Sequence, residues 1–562
     1  MIKRIQRKRK IRNADFVEPD EIFLDSRNMP NFNLQQFEGR IEKPIGKNTI
    51  IFTGIFFILV LMIFSGRLLY LQVVKGEAYL ERSEGNTLEK HIIFAERGII
   101  YDRNNKEIAW NQQTVDTPFP ARAYLSPGFS HLLGYISYPA EDKNGVFWQT
   151  EFKGLDGLEK QYNDILKGEN GGKIAEVDVK GEIQSENIIN PPLGGEGLYT
   201  TVDSRIQGEL FRLIENLARS QAYNGGAGII MDLRDGGIIS SVSYPEYNAE
   251  ILSRGKEKEI IDNYLSDKRK VFLDRTISGL YTPGSIIKPF LALGALAENI
   301  IDPAKKILST GSISIPNPYR PGENSVFKDW RVNGWTDMRQ ALAVSSDIYF
   351  YTIGGGFEDQ RGLGIVNIEK YIRLFGIGEK TDVDLPDEKS GTIPNPEWKM
   401  KNFAGDPWRI GDTYNSSIGQ YGWQVTPIQM LRAIAAIGND GRLLEPHFVL
   451  DKNAPATLQI MNLLEKDFAI VREGMRQAVS YGTAIALNVP YVEVAAKTGT
   501  AQVGVSKNKV NSWVVGFWPV ENPKYAFTVM MESGPSSGAT GATSVMRGLL
   551  DWMSQNAPEY LK

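Results

Sequence analysis

An uninterrupted apolar run from Ile50 to Phe64, continuing to Gly66 without an acid or a base, fixes how the rest of this chain can be arranged. A helix needs about 20 such residues to cross the hydrocarbon of a bilayer, with about 17 as the lower limit. Leu68 to Val74 can lengthen it beyond Arg67, whose long side chain can snorkel to the interface. A buried core helix is the alternative. A cleaved signal peptide fits poorly, because the preceding segment is long and no small-residue cleavage site follows. Lys3, Arg4, Arg7, Lys8, Arg9, Lys10 and Arg12 form a basic cluster ahead of the run. The positive-inside rule then keeps this tail in the cytoplasm and sends everything after the anchor outside. The expected division is a cytoplasmic tail over 1–48, a transmembrane helix over 49–71, a β-rich elongated pedestal over 72–197 and a catalytic domain over 198–562. The fold class is multi-domain, membrane-anchored α/β.

Composition narrows the reading only a little. The 562 residues, 42% of them hydrophobic, suffice for two or three domains with full cores. A net charge of −4 and a pI near 5.8 give no argument for nucleic acid as a partner. The absence of cysteine suits an exported chain and a cytosolic one equally. With only His91, His131 and His447 besides, no soft-ligand zinc site is expected.

From Gln72 to Asn190 short β-like runs alternate with turns, as in Ile92 to Ile100 before Tyr101-Asp102-Arg103-Asn104-Asn105. Asn190 to Gly197, rich in proline and glycine, reads as a linker. Gly226 to Val242 reads as a hairpin around Leu233 to Gly237. Asn511 to Val520, Tyr525 to Met531 and a strand from Val492 to Val503 would join it in an antiparallel sheet, flanked by helices from both ends of the domain. Ile286 to Gln429 reads mostly as helix and loop, suited to a second lobe, and a cleft between lobes is a favoured place for a site.

Three elements in chain order carry the chemistry: Ser285-Ile286-Ile287-Lys288, Ser345-Ser346-Asp347 and Lys497-Thr498-Gly499-Thr500. A serine hydroxyl attacks a carbonyl only if a neighbour takes its proton. Tyr281-Thr282-Pro283-Gly284 reads as a turn opening a helix through Glu298, on which Ser285 and Lys288 share a face. Pro289 falls in the first turn, where it costs least and can leave the Ser285 carbonyl free. Lys288 is useful as a base only when neutral, which calls for burial or a nearby cation, and Lys497 could be that cation. Strand alternation puts Thr498 and Thr500 on one face, and Gly499 leaves the edge open to an extended peptide whose carboxylate would meet the threonines and Lys497. Backbone N–H groups of Ser285 and Thr500 would make an oxyanion hole.

Each element alone is weak. Ser325-Val326-Phe327-Lys328 repeats the Ser-x-x-Lys spacing in what reads as loop, and Ser185, Ser506 and Ser554 each head a Ser-x-Asn. The order and contexts together carry the inference, and this triplet is the documented signature of penicillin-binding proteins and class A β-lactamases. Gly534-Pro535-Ser536-Ser537-Gly538 matches a nucleophile elbow, but that fold needs a histidine after the serine and none follows.

With the motifs placed, the chain resembles a class B penicillin-binding protein from the anchor to the C-terminus. Arg97-Gly98-Ile99-Ile100-Tyr101-Asp102-Arg103-Asn104, Gly154-Leu155-Asp156-Gly157-Leu158-Glu159 and Thr200-Thr201-Val202-Asp203 are similar to family landmarks. Asp347 in place of the common Asn, and Ile418-Gly419-Gln420 ahead of Thr426-Pro427-Ile428-Gln429, resemble the elongation type, penicillin-binding protein 2. The resemblance implies a serine-type D-Ala-D-Ala transpeptidase or carboxypeptidase with no cofactor and no metal. Ser285 would be nucleophile, Lys288 its base, and Ser345 a proton relay. Asp347 would hold the donor or Lys288, and Lys497, Thr498, Gly499 and Thr500 would bind the donor peptide. The implied partners are peptidoglycan stem peptides, β-lactams that trap the serine, and a RodA-like (SEDS) membrane glycosyltransferase.

Three rivals share some of these features. A division-specific paralogue has the same motifs. A β-lactamase or β-lactam sensor shares the three motifs, but a hydrolase needs a carboxylate and water for deacylation, and no Glu-x-x-x-Asn element stands in the matching region. A catalytically silent scaffold would need none of the reactive residues the chain carries.

Overall fold

The computed structural model describes residues 46–77, 88–114, 117–143, 146–177, 183–450, 457–459, 463–504, 508–536 and 540–562. The basic cluster between Lys3 and Arg12, nearly all of the 1–48 tail, Ser506, Ser537 and Gly538 lie outside them. The chain forms two compact units, Met1–Leu88 and Glu89–Lys562.

The first unit holds α1 (Lys47–Leu69), continued by a π-helical turn over Tyr70–Val74. Its 25-residue span from Ile50 to Val74 contains an 18-residue window with a mean hydropathy of 2.3. At 1.5 Å per residue the span is roughly 37 Å, enough for a bilayer core of about 30 Å with some tilt. Phe52, Phe56, Leu61 and Phe64 are exposed along it, so this is no core helix. The Arg67 guanidinium lies over the Tyr70 ring, at 5.5 Å.

The second unit begins with β-rich structure. Strands β1 (Leu88–Ile93), β2 (Ile100–Tyr101), β3 (Glu107–Gln112), β4 (Ala121–Tyr124), β5 (Gly171–Val177), β6 (Ile183–Asn190) and β7 (Leu198–Tyr199) form two sheets, ordered β1-β5-β6 and β7-β2-β3-β4. The expected strand from Ile92 to Ile100 is broken, because the chain leaves β1 after Ile93 to send Arg97 into the core. There Arg97 Nε meets Glu159 Oε2 at 2.5 Å and Arg122 Nε meets Oε1 at 2.8 Å. Burial alone would raise the Glu159 carboxyl, but the Arg122 and Arg97 guanidiniums outweigh it and hold it below the usual carboxylate range. Two of the sequence landmarks thus supply two of the three members of one buried ion cluster.

The segment 190–197, expected as a linker, is tied in by hydrogen bonds. Leu193 pairs with Glu169, Gly195 N donates to Glu96 O at 2.8 Å, and Glu196 N donates to Ile165 O at 3.0 Å. Beyond it, β7 lies parallel to β2.

Helix α2 (Ser204–Ser220) follows, capped by the Asp203 carboxylate on Arg205 N and burying Ile206, Leu210 and Ile214 along one stripe. Strands β8 (Gly225–Asp232) and β9 (Ile238–Tyr244) form the expected hairpin. The mostly helical lobe contains α3 (Lys288–Ala297), β10 (Ile307–Ser309), β11 (Ser312–Pro316), β12 (Asn324–Lys328), β13 (Gly334–Thr336), α4 (Met338–Val344), α5 (Asp347–Gly355) and three further helices. Then come α6 (Pro427–Gly438), α7 (Glu465–Ser480), β14 (Ala495–Val503), β15 (Lys509–Trp518), β16 (Tyr525–Pro535) and α8 (Ala542–Asn556).

The central sheet is antiparallel in the order β9-β8-β16-β15-β14, leaving β14 at an edge. Its period-two alternation feeds two cores. Ile230, Val514 and Met531 pack with α2 and α8, whereas Ile229, Val515 and Met530 pack with α6. Strand β14 starts at Ala495 rather than Val492. Ser325 to Lys328 proves to be strand, not loop, paired with β11. Three residues apart on a strand, Ser325 and Lys328 face opposite ways and cannot act together.

Candidate active site

Ser285 sits in a 3-10 turn, Gly284–Ile287, that runs directly into α3. The turn is pinned from several sides. Tyr281 and Val425 exchange backbone bonds, Gly284 N donates to Gly419 O at 3.0 Å, and Trp513 Nε1 donates to Thr282 O at 3.0 Å. Gly284 has φ +60, a left-handed conformation open to glycine. Gly499 of β14 lies against the same turn, where a Cβ would come 2.8 Å from Pro283 O and 2.9 Å from Ile286 Cγ2. Glycine at both positions lets the serine turn rest on the edge strand. The carbonyl of Ser285, expected to be free, accepts from Lys288 N because the turn is 3-10 and closes one residue earlier.

Lys288 and Lys497 are fully buried, and both reach Ser345. Lys288 Nζ donates to Asp347 Oδ1 at 2.6 Å, to Ser345 O at 2.8 Å and to Ser345 Oγ at 3.3 Å. Lys497 Nζ donates to Ser345 Oγ at 2.8 Å and to Thr498 O at 2.9 Å. Burial first, and then the charge of Lys288, push the Lys497 amine well below the ordinary lysine range, with Asp347 opposing. The depressed amine is therefore Lys497, and Lys288 is the one ion-paired with a carboxylate.

The half-buried Ser285 hydroxyl makes no hydrogen bond among the described residues, and Lys288 directs its three hydrogens to Ser345 and Asp347. Lys288, Ser345, Asp347 and Lys497 are thus joined in one network, while Ser285 stands at its margin. Thr498 Oγ1 donates to Thr483 Oγ1 at 2.7 Å, and the Thr500 side chain is exposed on the same face of β14.

The chain matches the family described as "Penicillin binding protein transpeptidase domain" over residues 226–551, and the "Penicillin-binding Protein dimerisation domain" over 117–200. The chain belongs to the penicillin-binding proteins. It is similar to the "Peptidoglycan D,D-transpeptidase MrdA" of Salmonella typhimurium, with 30% identity covering 78% of this chain and 72% of that one. The protein of the same name from Acinetobacter baumannii is 27% identical over 89% of this chain and 86% of its own. Among solved structures, the complex of PBP2 and MreC from Helicobacter pylori superposes with a TM-score of 0.69 at 25% identity, covering 84% of this chain and 99% of that one.

Sequence reasoning missed two residues of this penicillin-binding protein that hydrogen-bond the predicted site residues Thr498 and Asp347. Thr483 follows α7 and has no motif around it; its N–H donates to Ala343 O at 3.1 Å. Asp329 directly follows the decoy Ser-x-x-Lys and is buried at the start of α5, with 9% of its surface exposed. The only available signal was an acid at the end of a short strand, which is too common to single out.

Proposed function

We propose that the chain is a peptidoglycan D,D-transpeptidase of the elongation type, which cross-links stem peptides through an acyl-enzyme on Ser285. The observation that carries the reading is the convergence of two buried amines on the Ser345 hydroxyl beside the Ser285 turn. It supplies a hydroxyl through which a proton can pass between the two amines.

In this reading Lys288 first passes one proton through Ser345 Oγ toward Lys497, and then takes the Ser285 proton as Oγ attacks the penultimate D-Ala carbonyl. The leading amides of a helical turn have no partner within it, so Ser285 N–H is available to the oxyanion, with Thr500 N–H opposite. Collapse breaks the D-Ala-D-Ala amide bond, and the leaving amine regains a proton from the relay. A neighbouring stem's amine then attacks the ester, gives up its proton along the same path, and Ser285 recovers its hydrogen. Asp347 holds Lys288, while Lys497, Thr498, Gly499 and Thr500 bind the donor along the edge of β14. A β-lactam would enter as a donor mimic. The helix α1 anchors the chain with its basic tail in the cytoplasm, and a RodA-like polymerase would supply the glycan strands.

Labelling with a fluorescent penicillin, followed by mapping of the modified peptide, tests the assignment. Wild type should carry a lasting adduct on Ser285, and Ser285→Ala should carry none and fail to complement a strain depleted of the protein. Labelling that survives the substitution would sink the nucleophile assignment, rapid release would point to a hydrolase, and complementation by Ser285→Ala would favour a scaffold. Lateral-wall localisation of a tagged protein supports elongation, and a midcell ring would reassign it to division.

A further inference from the structure

Ser345 caps α4 with φ 57 and ψ 40, a left-handed conformation that L-residues adopt at a cost and that persists only where the surroundings impose it. Part of the restraint is Lys288 on the Ser345 carbonyl. The amides of Ser345 and Ser346 both donate to Ala341 O, and a carboxylate outside the three sequence elements holds the residues that follow. Asp329 Oδ2 accepts from Ser346 Oγ at 2.8 Å, Ser309 Oγ at 3.0 Å and Ile348 N at 3.2 Å; Oδ1 accepts from Trp330 N at 2.9 Å and Asp347 N at 3.1 Å.

Three of these donors are Ser346 Oγ and the first two amides of α5, so Asp329 caps that helix from a different part of the chain. The residues it holds are the immediate successors of Ser345, and one of them, Asp347, is the ion-pair partner of Lys288. Strand β12 ends at Lys328 and so delivers the carboxylate. Ser309, at the end of β10, orients it from the far side.

We infer that Asp329 is a positioning residue for acyl transfer: its carboxylate fixes the Ser345–Asp347 turn so that Ser345 Oγ meets both lysine amines. The inference rests on the acyl-serine reading of Ser285. Three of the five partners are backbone N–H groups that can only donate, so an amide nitrogen would face Trp330 N–H and Asp347 N–H in the Oδ1 place, or Ile348 N–H in the Oδ2 place, while the two serine hydroxyls could turn to accept. The turn would relax, and the relay oxygen would move relative to both lysines.

The test is penicillin acylation of the full chain in detergent, resolved into an encounter constant and a first-order acylation rate, with active molecules counted by titration. Asp329→Asn should slow acylation of the active molecules by about 10- to 100-fold, as expected for a small displacement of reacting groups, and leave the encounter constant unchanged. Ser309→Ala, which removes one donor to Asp329 and none to the turn itself, should give a smaller fall of the same kind and serves if Asp329→Asn does not fold. An unchanged rate per active molecule, with loss only of folded protein, would overturn the inference and leave the acyl-serine reading standing. Wild type that never acylates would overturn both.

Discussion

Lys497 Nζ lies 2.8 Å from Ser345 Oγ across 152 residues of chain, and Lys288 Nζ reaches the same oxygen from the other side. If that oxygen carries protons between the amines, Ser345→Ala should lower the penicillin acylation rate by about 10²- to 10⁴-fold, the usual range for losing general acid–base assistance. Folding should persist, because the backbone bonds of the turn remain. Stopped-flow acylation with circular dichroism as a control measures both.

The contact between Gly499 and the serine turn predicts an effect with no change of chemistry. Gly499→Val places carbon where Pro283 O and Ile286 Cγ2 already lie within 3 Å of a Cβ. Either β14 or the turn must move. The expected loss is about 1–3 kcal/mol of stability, typical of overpacking, together with slower acylation. Thermal unfolding and labelling report the two separately.

The Arg97–Glu159–Arg122 cluster is buried on all three members. Glu159→Ala would strand two guanidiniums without their acceptor, and breaking a buried pair in this way costs roughly 3–5 kcal/mol. Denaturant unfolding should show this loss, while the residual folded protein acylates at the wild-type rate.

His131 offers a pH test. Burial first, and then Arg275, lower its imidazole from 6.5 to about 4, with Asp156 and the Val271 carbonyl opposing. Its Nε2 donates to Val271 O at 2.9 Å, which leaves the neutral ring native. Between about pH 6.5 and 4 the unfolded chain binds a proton here that the folded chain does not, so stability falls as pH falls through that window and is intact above it. Relative to His131→Gln, the wild type should lose stability on acidification from pH 7 to 4.5, by on the order of 2–3 kcal/mol. Parallel unfolding curves at the two pH values check the sign.

Much of the fold could be read from the sequence because it is written in local periodicity. The unbroken apolar run gave α1, and alternating residues around Leu233 to Gly237 gave the β8–β9 hairpin. The serine, lysine and threonine elements could be found because their spacing is short. Asp329 and Thr483 were not legible, since their value lies in partners that only the folded lobe brings near. The broken strand at Phe94 and the tied-down segment 190–197 were misread for a related reason. A buried arginine and a row of backbone bonds overrode what their own residues prefer. The lowering of the Lys497 amine was likewise invisible, because burial and the nearby charge of Lys288 produce it.

The parallel contact of β7 with β2 belongs to a wider seam. Thr200 N and Oγ1 both donate to Tyr101 O, Arg103 N donates to Val202 O, and Asp102 caps its own turn while accepting from Ser204 N at the head of α2. Severing the chain near Leu198 would therefore orphan a helix cap as well as a strand. On heating, the pedestal and the catalytic half should melt together in one calorimetric transition, neither outlasting the other.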